Sequence, residues 1–168
     1  PMHATKRNLL VAEIQMFSEQ IKSVEQELER YSKENVEVWQ LRSIPGVGLR
    51  TAEAVVAFID DPHRFARSKQ VGAYFGVVPA QDQSGDKNRL GHITRQGSAN
   101  VRCLLAEATW QALRGSPTVR AYFERIQRGD PARKKIAVTA TAHYLVRVMW
   151  SMLKNGTLWQ ERVEPKVA

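Results

Sequence analysis

The residues best suited to chemistry in this chain lie in one polar stretch, Gln83-Ser84-Gly85-Asp86-Lys87. A serine hydroxyl beside a glycine can approach the phosphorus of a nucleic-acid backbone, and neighbouring cations can neutralise the charge of a pentavalent transition state. Ser84 is therefore the candidate nucleophile, and Lys87, Arg89, Arg95 and Arg102 follow within 18 residues of it. On residue types alone a second reading stays open, because a Ser-Gly pair in a loop can serve the turn and nothing else. Ser98 is a competing hydroxyl, but it stands just before an apolar helical run and is explained as a helix N-cap. His92 reads as a polar surface residue before it reads as a general base. No metal site assembles from these residues: Asp60, Asp61, Asp82 and Asp86 occupy turn-type positions, and there is no Cys/His cluster. The familiar phosphate-loop and dinucleotide fingerprints are absent.

A second phosphate-directed feature lies upstream, in Leu41-Arg42-Ser43-Ile44-Pro45-Gly46-Val47-Gly48-Leu49-Arg50. Pro45 stops a helix, and Gly46 and Gly48 permit a tight turn with unusual backbone angles. A new helix is expected from about Leu49 to Asp60. This is the form of a helix-hairpin-helix, in which glycines admit close approach of a phosphate and the first amides of the second helix point towards it. Gly46, Val47, Gly48 and Arg50 are accordingly assigned to nucleic-acid binding, with Arg42 flanking. The alternative is a plain interhelical turn.

The elements that must carry these features are helical. Residues from about 6 to 40 form one pattern, with Leu10, Ile14, Phe17, Ile21, Val24, Leu28 and Tyr31 in four-three spacing. That narrow stripe predicts a coiled-coil arm that pairs with another helix. Short helices are expected around Ser68–Phe75 and Thr118–Arg128, and longer ones over Ala99–Arg114 and Ala132–Asn155. The helix from Ala99 should bury Val101, Leu104, Leu105, Ala108 and Ala112, and the last one Ile136, Ala140, Tyr144, Val148 and Met152. Ala80 to His92 has too few apolar residues to pack and is expected to be a loop. The fold class is all-α, with an arm over 1–40, a compact domain over 41–155 and a tail over 156–168.

Charge is divided along the same lines. Residues 1–40 hold five Lys/Arg and seven Asp/Glu, a net of −2, whereas residues 41–168 hold twenty and ten, a net of +10. A basic body of this kind suits a polyanionic partner, and Lys134 and Lys135 at the start of the last helix join the candidate contacts. Cys103 sits in an apolar run and is expected to be a buried thiol; one cysteine excludes an internal disulfide and fits a reducing compartment. With no expected membrane span and no signal peptide, the cytoplasm is the default. The opening Pro1-Met2-His3 reads as the interior of a longer protein.

Several motifs in order give a resemblance. Ser43-Ile44-Pro45-Gly46-Val47-Gly48, Tyr74-Phe75-Gly76-Val77-Val78-Pro79, Gln83-Ser84-Gly85, Gly91-His92-Ile93-Thr94-Arg95-Gln96-Gly97 and Lys134-Lys135-Ile136-Ala137 resemble the C-terminal transposase domain of the DEDD insertion-sequence transposases. That family includes the Piv-type invertases and the bridge-RNA-guided recombinases. The resemblance covers about residues 41–155. It implies a DNA partner, a possible guide RNA, and a serine, here Ser84, that becomes covalently joined to DNA. It also implies a separate N-terminal RuvC-like domain whose acidic quartet binds a divalent metal such as Mg. No counterpart of that quartet is found here, so this chain alone is expected to hold no cofactor and to be inactive. A non-catalytic helix-hairpin-helix adaptor is the alternative function. The arm is expected to make the protein a homo-oligomer.

Overall fold

A computed structural model describes residues 2–84 and 87–162, with backbone only at 82–84 and 87–90. The chain divides into two compact units, Pro1–Val36 and Glu37–Ala168. The first is built on one long helix, α1 (Met2–Glu34). Its seven stripe residues, from Leu10 to Tyr31, are each 42–70 % exposed. The expected single helix to residue 40 is interrupted at Asn35 and resumes as α2 (Val36–Arg42). Asparagine competes with helix hydrogen bonding through its own amide, which explains why the break falls there.

In the second unit α3 (Leu49–Ile59), α4 (Ser68–Tyr74), α5 (Ala99–Gly115) and α6 (Pro117–Gln127) surround α7 (Lys134–Asn155). Each boundary has a local cause. Ser98 caps α5 by accepting from the Val101 amide at 3.4 Å, and Ser116, fully buried, ends α5 and caps α6 through the Val119 amide at 3.2 Å. Gly156 in the left-handed region closes α7. The core joins Leu41, Ile44, Val55 and Ile59 to Phe75, Leu105, Leu145, Val146 and Met149. Buried polar groups tie down the C-terminal part of α7. Trp150 Nε1 donates to the Pro62 carbonyl at 2.7 Å, and Gln40 Nε2 donates to the Met152 carbonyl at 3.2 Å.

Helix α7 is long and apolar enough to cross a membrane by length and composition alone, but 56 % of its most apolar window is buried inside this fold. It is a core helix. Its buried face runs through Ala137, Val138, Thr141, Ala142, Leu145, Val146, Met149 and Leu153. Of the residues expected there Met152 is buried, whereas Ala140, Tyr144 and Val148 are half-buried and Ile136 is 60 % exposed. The expected stripe was rotated about one position from the true one, because α7 contacts neighbours on several sides. Cys103 is also corrected: it is exposed, two residues from buried Val101 and thus on the opposite side of α5.

The larger correction is at residues 79–93, where the expected loop is an antiparallel pair, β1 (Pro79–Ser84) and β2 (Lys87–Ile93). Its register runs from Pro79 opposite Ile93 to Ser84 opposite Lys87, with an irregularity between Pro79 and Gln81. The segment Ala80–His92 contains almost no apolar side chain, so the period-two signal of a half-buried strand is missing from it. The fold remains predominantly helical, with this one small sheet.

Candidate nucleic-acid interface

The turn between α2 and α3 is built tightly. Ile44 and Val47 are 1 % and 6 % exposed, and the Val47 amide already donates to the Ile44 carbonyl at 3.1 Å. Gly46 adopts φ +85°, and a Cβ there would collide with the Ala112 amide of α5. Its special conformation therefore serves packing between the turn and α5. Gly48 is different: its φ of −78° and ψ of 169° are ordinary extended values, and a Cβ there would meet nothing within 4 Å. The expectation that both glycines need unusual angles holds for Gly46 and fails for Gly48. Gly48 is the N-cap of α3 and offers no side-chain cap, so the first turn of the helix receives no capping bond from its N-cap residue. Arg50 pairs with Glu53 at 2.9 Å. Arg42 lies 4.7 Å above the ring of half-exposed Trp39.

The hairpin is anchored at its base. Thr94 donates its amide to the Val78 carbonyl at 2.9 Å, and Arg95 donates to the Gly76 carbonyl at 3.2 Å. Gly76, at φ +68°, lies so close to the Arg95–Gln96 backbone that a Cβ would collide with the Gln96 carbonyl. Arg102 reaches back from α5, its guanidinium donating to the Gln96 and Gly97 carbonyls at 2.8 and 3.0 Å. Two of the expected cations, Arg50 and Arg102, thus hold protein partners.

Arg95 and Lys135, 40 residues apart in sequence, come together. They line a cleft of about 680 Å³ between the hairpin base and the exposed side of α7. Lys135, Thr139 and His143 recur every four residues on that side, with Ile136 and Ala140 beside them. His92 and Ile93 face them from the hairpin, and among the described lining residues there is no Asp or Glu. Burial, with Arg147 nearby, holds the His143 imidazole below the ordinary histidine range. Its Nε2 is buried without a hydrogen-bond partner, and the ring lies against Gly72, where a Cβ would strike it.

Lys134, next along α7, sits 5.1 Å above the ring of Trp110, which is 41 % exposed. Arg64 likewise lies over Phe65 and Tyr74, at 4.6 and 4.7 Å. Sequence reasoning passed over Trp39, Trp110 and His143. The Trp39–Arg42 pair is visible as an i, i+3 spacing. The Lys134–Trp110 pair spans 24 residues, so spacing carries no trace of it.

Ser84 and Lys87 face each other in the strand register. The side chains of Ser84, Lys87 and Arg89 lie outside the described residues, as do Gly85 and Asp86 altogether. Among the described residues no three His, Cys, Asp or Glu side chains come together as metal ligands.

Residues 39–124 match the family described as Transposase IS116/IS110/IS902. The chain belongs to that family. The match runs from Trp39 through the interhelical turn, the hairpin and α5 to Glu124 in α6, so it contains the Ser84 strand and the cations Arg50, Arg95 and Arg102. The chain is similar to the transposase for insertion sequence element IS1111A of Coxiella burnetii, 39 % identical over 107 residues, which are 64 % of this chain and 29 % of that protein. A probable family 20 transposase of Pseudomonas aeruginosa is 26 % identical over 152 residues, 88 % of this chain and 44 % of its own. A pilin gene-inverting protein of Moraxella lacunata is 22 % identical over 125 residues, covering 73 % of this chain and 38 % of that protein. This transposase-family chain thus spans less than half the length of each of these relatives.

Proposed function

We propose that this chain is the DNA-gripping and nucleophile-bearing part of a transposase or site-specific recombinase. The observation that carries the grip is the α2–turn–α3 unit, a helix-hairpin-helix in this reading. Its second helix starts uncapped at Gly48, on a body holding twenty Lys/Arg against ten Asp/Glu over residues 41–168. Phosphates are received at such helix starts by backbone amides and the dipole. Trp39 with Arg42 and Trp110 with Lys134 add exposed cation–aromatic platforms of the kind on which nucleotides stack.

In this reading Ser84 supplies the covalent step. Its Oγ attacks a backbone phosphorus, a P–Oγ bond forms as one P–O bond to deoxyribose breaks, and the hydroxyl proton passes to the released sugar oxygen. The reverse reaction on a second strand end restores the serine. The cations near Ser84 in sequence, Lys87 and Arg89, would balance the extra phosphoryl charge. The acidic, metal-binding portion is assigned to a RuvC-like domain outside this chain. The chain by itself is then a non-catalytic nucleic-acid binder, which reconciles the two functions weighed from sequence.

The test has two stages. Duplex binding by this chain should weaken with salt along a log–log slope of about −0.9 for each phosphate neutralised, and salt-independent binding would remove the electrostatic account. In a full-length protein, Ser84→Ala should abolish the covalent protein–DNA adduct seen by denaturing electrophoresis while leaving binding nearly intact. An adduct that survives Ser84→Ala would take the nucleophile away from this residue.

A homo-oligomer assembled through α1 is the second part of the proposal, supported by its continuous exposed apolar stripe. Ile21→Lys with Leu28→Lys should place unpaired charge in the seam and lower the sedimenting mass. An unchanged mass would assign that stripe to another contact.

A further inference from the structure

The cleft between the hairpin base and α7 is not explained by phosphate gripping alone. Its walls are largely apolar, from Pro79 and Ile93 on the hairpin to Ile136 and Ala140 on α7, and among the described residues its lining cations are Arg95 and Lys135. Its volume, about 680 Å³, lies within the range of small-ligand sites, roughly 300–1,000 Å³. Ile136 is left 60 % exposed at its edge. Apolar walls with two cations, and no carboxylate among the described lining residues, match a flat, apolar-faced ligand that carries one anionic group. A nucleotide has that composition.

We propose that this cleft seats a single unstacked nucleotide of the bound strand, its base against Ile93, Ile136 and Ala140 and its phosphate between Arg95 and Lys135. The proposal rests on the nucleic-acid function above and adds to it a site and a ligand class. An extrahelical base needs such a slot because unstacking costs a few kcal/mol that apolar contact must offset. The position gives the slot a purpose. Pro79 and Ile93 pair at the cleft end of the hairpin, and Ser84 pairs with Lys87 at the other. Five residue steps lead from Pro79 to Ser84, about 17 Å at roughly 3.4 Å per step. A nucleotide held in the cleft would therefore fix which neighbouring phosphate is offered to Ser84.

The test titrates deoxyadenosine monophosphate into this chain and follows the Ile136 and Ala140 methyl groups and the His143 ring by NMR. All three should shift and saturate together. Orthophosphate should move the signals of Arg95 and Lys135 without moving the two methyls. Lys135→Gln, at an exposed site, should weaken the mononucleotide about tenfold through loss of a charge-assisted contact, while the response to uncharged deoxyadenosine stays unchanged. Ala140→Phe should fill the slot and erase the response of the Ile136 methyls and the His143 ring with duplex affinity retained. If Ala140→Phe fails to fold, the Lys135→Gln comparison carries the decision. Methyls unmoved by the mononucleotide, or an orthophosphate response identical to it, would overturn the seat. Duplex binding measured in parallel separates the two readings: duplex affinity without a mononucleotide response sinks the seat alone, and the converse sinks the duplex grip.

Discussion

The interhelical turn at residues 43–48 and the hairpin base at residues 76–97 both look, as strings of glycines and cations, like loops made for phosphate. They differ in what their polar and flexible groups already do. In the turn, Gly46 is fixed against α5 and the Val47 amide is bonded, so that beyond Gly48 the segment is committed to the fold. At the hairpin base, Gly76 and Arg102 do the fixing, and Arg95 is left on the wall of an open cleft together with Lys135. A glycine within a phosphate-type motif is thus not evidence of a phosphate. What separates the roles is whether a Cβ would meet protein or open space.

That distinction predicts the largest effect at Gly46. Gly46→Ala would force an L side chain into a left-handed backbone, costing about 1–2 kcal/mol, and add a clash with α5 worth roughly 1–3 kcal/mol. Thermal unfolding should show the chain destabilised by the sum of these. Gly48→Val, at extended angles with nothing within 4 Å of the new Cβ, should leave stability within about 1 kcal/mol and instead weaken duplex binding by screening the start of α3. If Gly48→Val binds DNA as the wild type does, the turn is a structural joint only and the comparison collapses to one functional region.

The same contrast explains what the sequence could and could not reveal. The helices from Ala99 and Pro117 were legible because a serine caps each, with a proline opening the second, and those from Leu49 and Ser68 because glycines and prolines bound their apolar runs. The hairpin was not, since strand pairing between polar residues such as Asp82–Arg89 and Gln83–Asn88 leaves no alternation to read. The site was legible in its parts but not in its grouping. Arg95 and Lys135 were both named from charge, yet only the packing of α7 against α4 and α5 brings them to one cleft. Sequence proximity grouped Arg102 with Ser84, and the fold instead turns Arg102 to the carbonyls of Gln96 and Gly97. His143 stayed hidden because the expected buried stripe of α7 was rotated from the real one.

A middle-sized effect is expected at Ser98, where the hairpin base meets α5. Its hydroxyl accepts from the Val101 amide, so Ser98→Ala should cost about 0.5–2 kcal/mol in urea unfolding. The covalent adduct of a full-length protein should persist in this variant. Loss of the adduct with unchanged stability would move the nucleophile from the hairpin to the start of α5.

The smallest effect is a pH dependence at the cleft. Burial keeps His143 less basic than an ordinary histidine, with Arg147 adding to the shift, and Lys135, Arg95 and His92 line the same cleft. An unfolded chain takes up this proton near the ordinary value of 6.5, whereas the folded chain resists it to lower pH. Below that value the unfolded state binds more protons, so stability falls as the pH falls; above it the group contributes no slope. Asp61 and Glu161 have lowered values too, against ordinary ones of 3.8 and 4.5, so their losses on acidification belong to a more acidic window. The urea midpoint of the wild type should therefore decline between about pH 7.5 and about pH 5.5, and His143→Gln should flatten that decline whatever its stability at neutral pH. An equal decline in both proteins would place the titrating group elsewhere and leave His143 as packing against Gly72 alone. Stability should respond to acid here because protonation would place an imidazolium in a half-buried position that burial disfavours first and the neighbouring Arg147 guanidinium second.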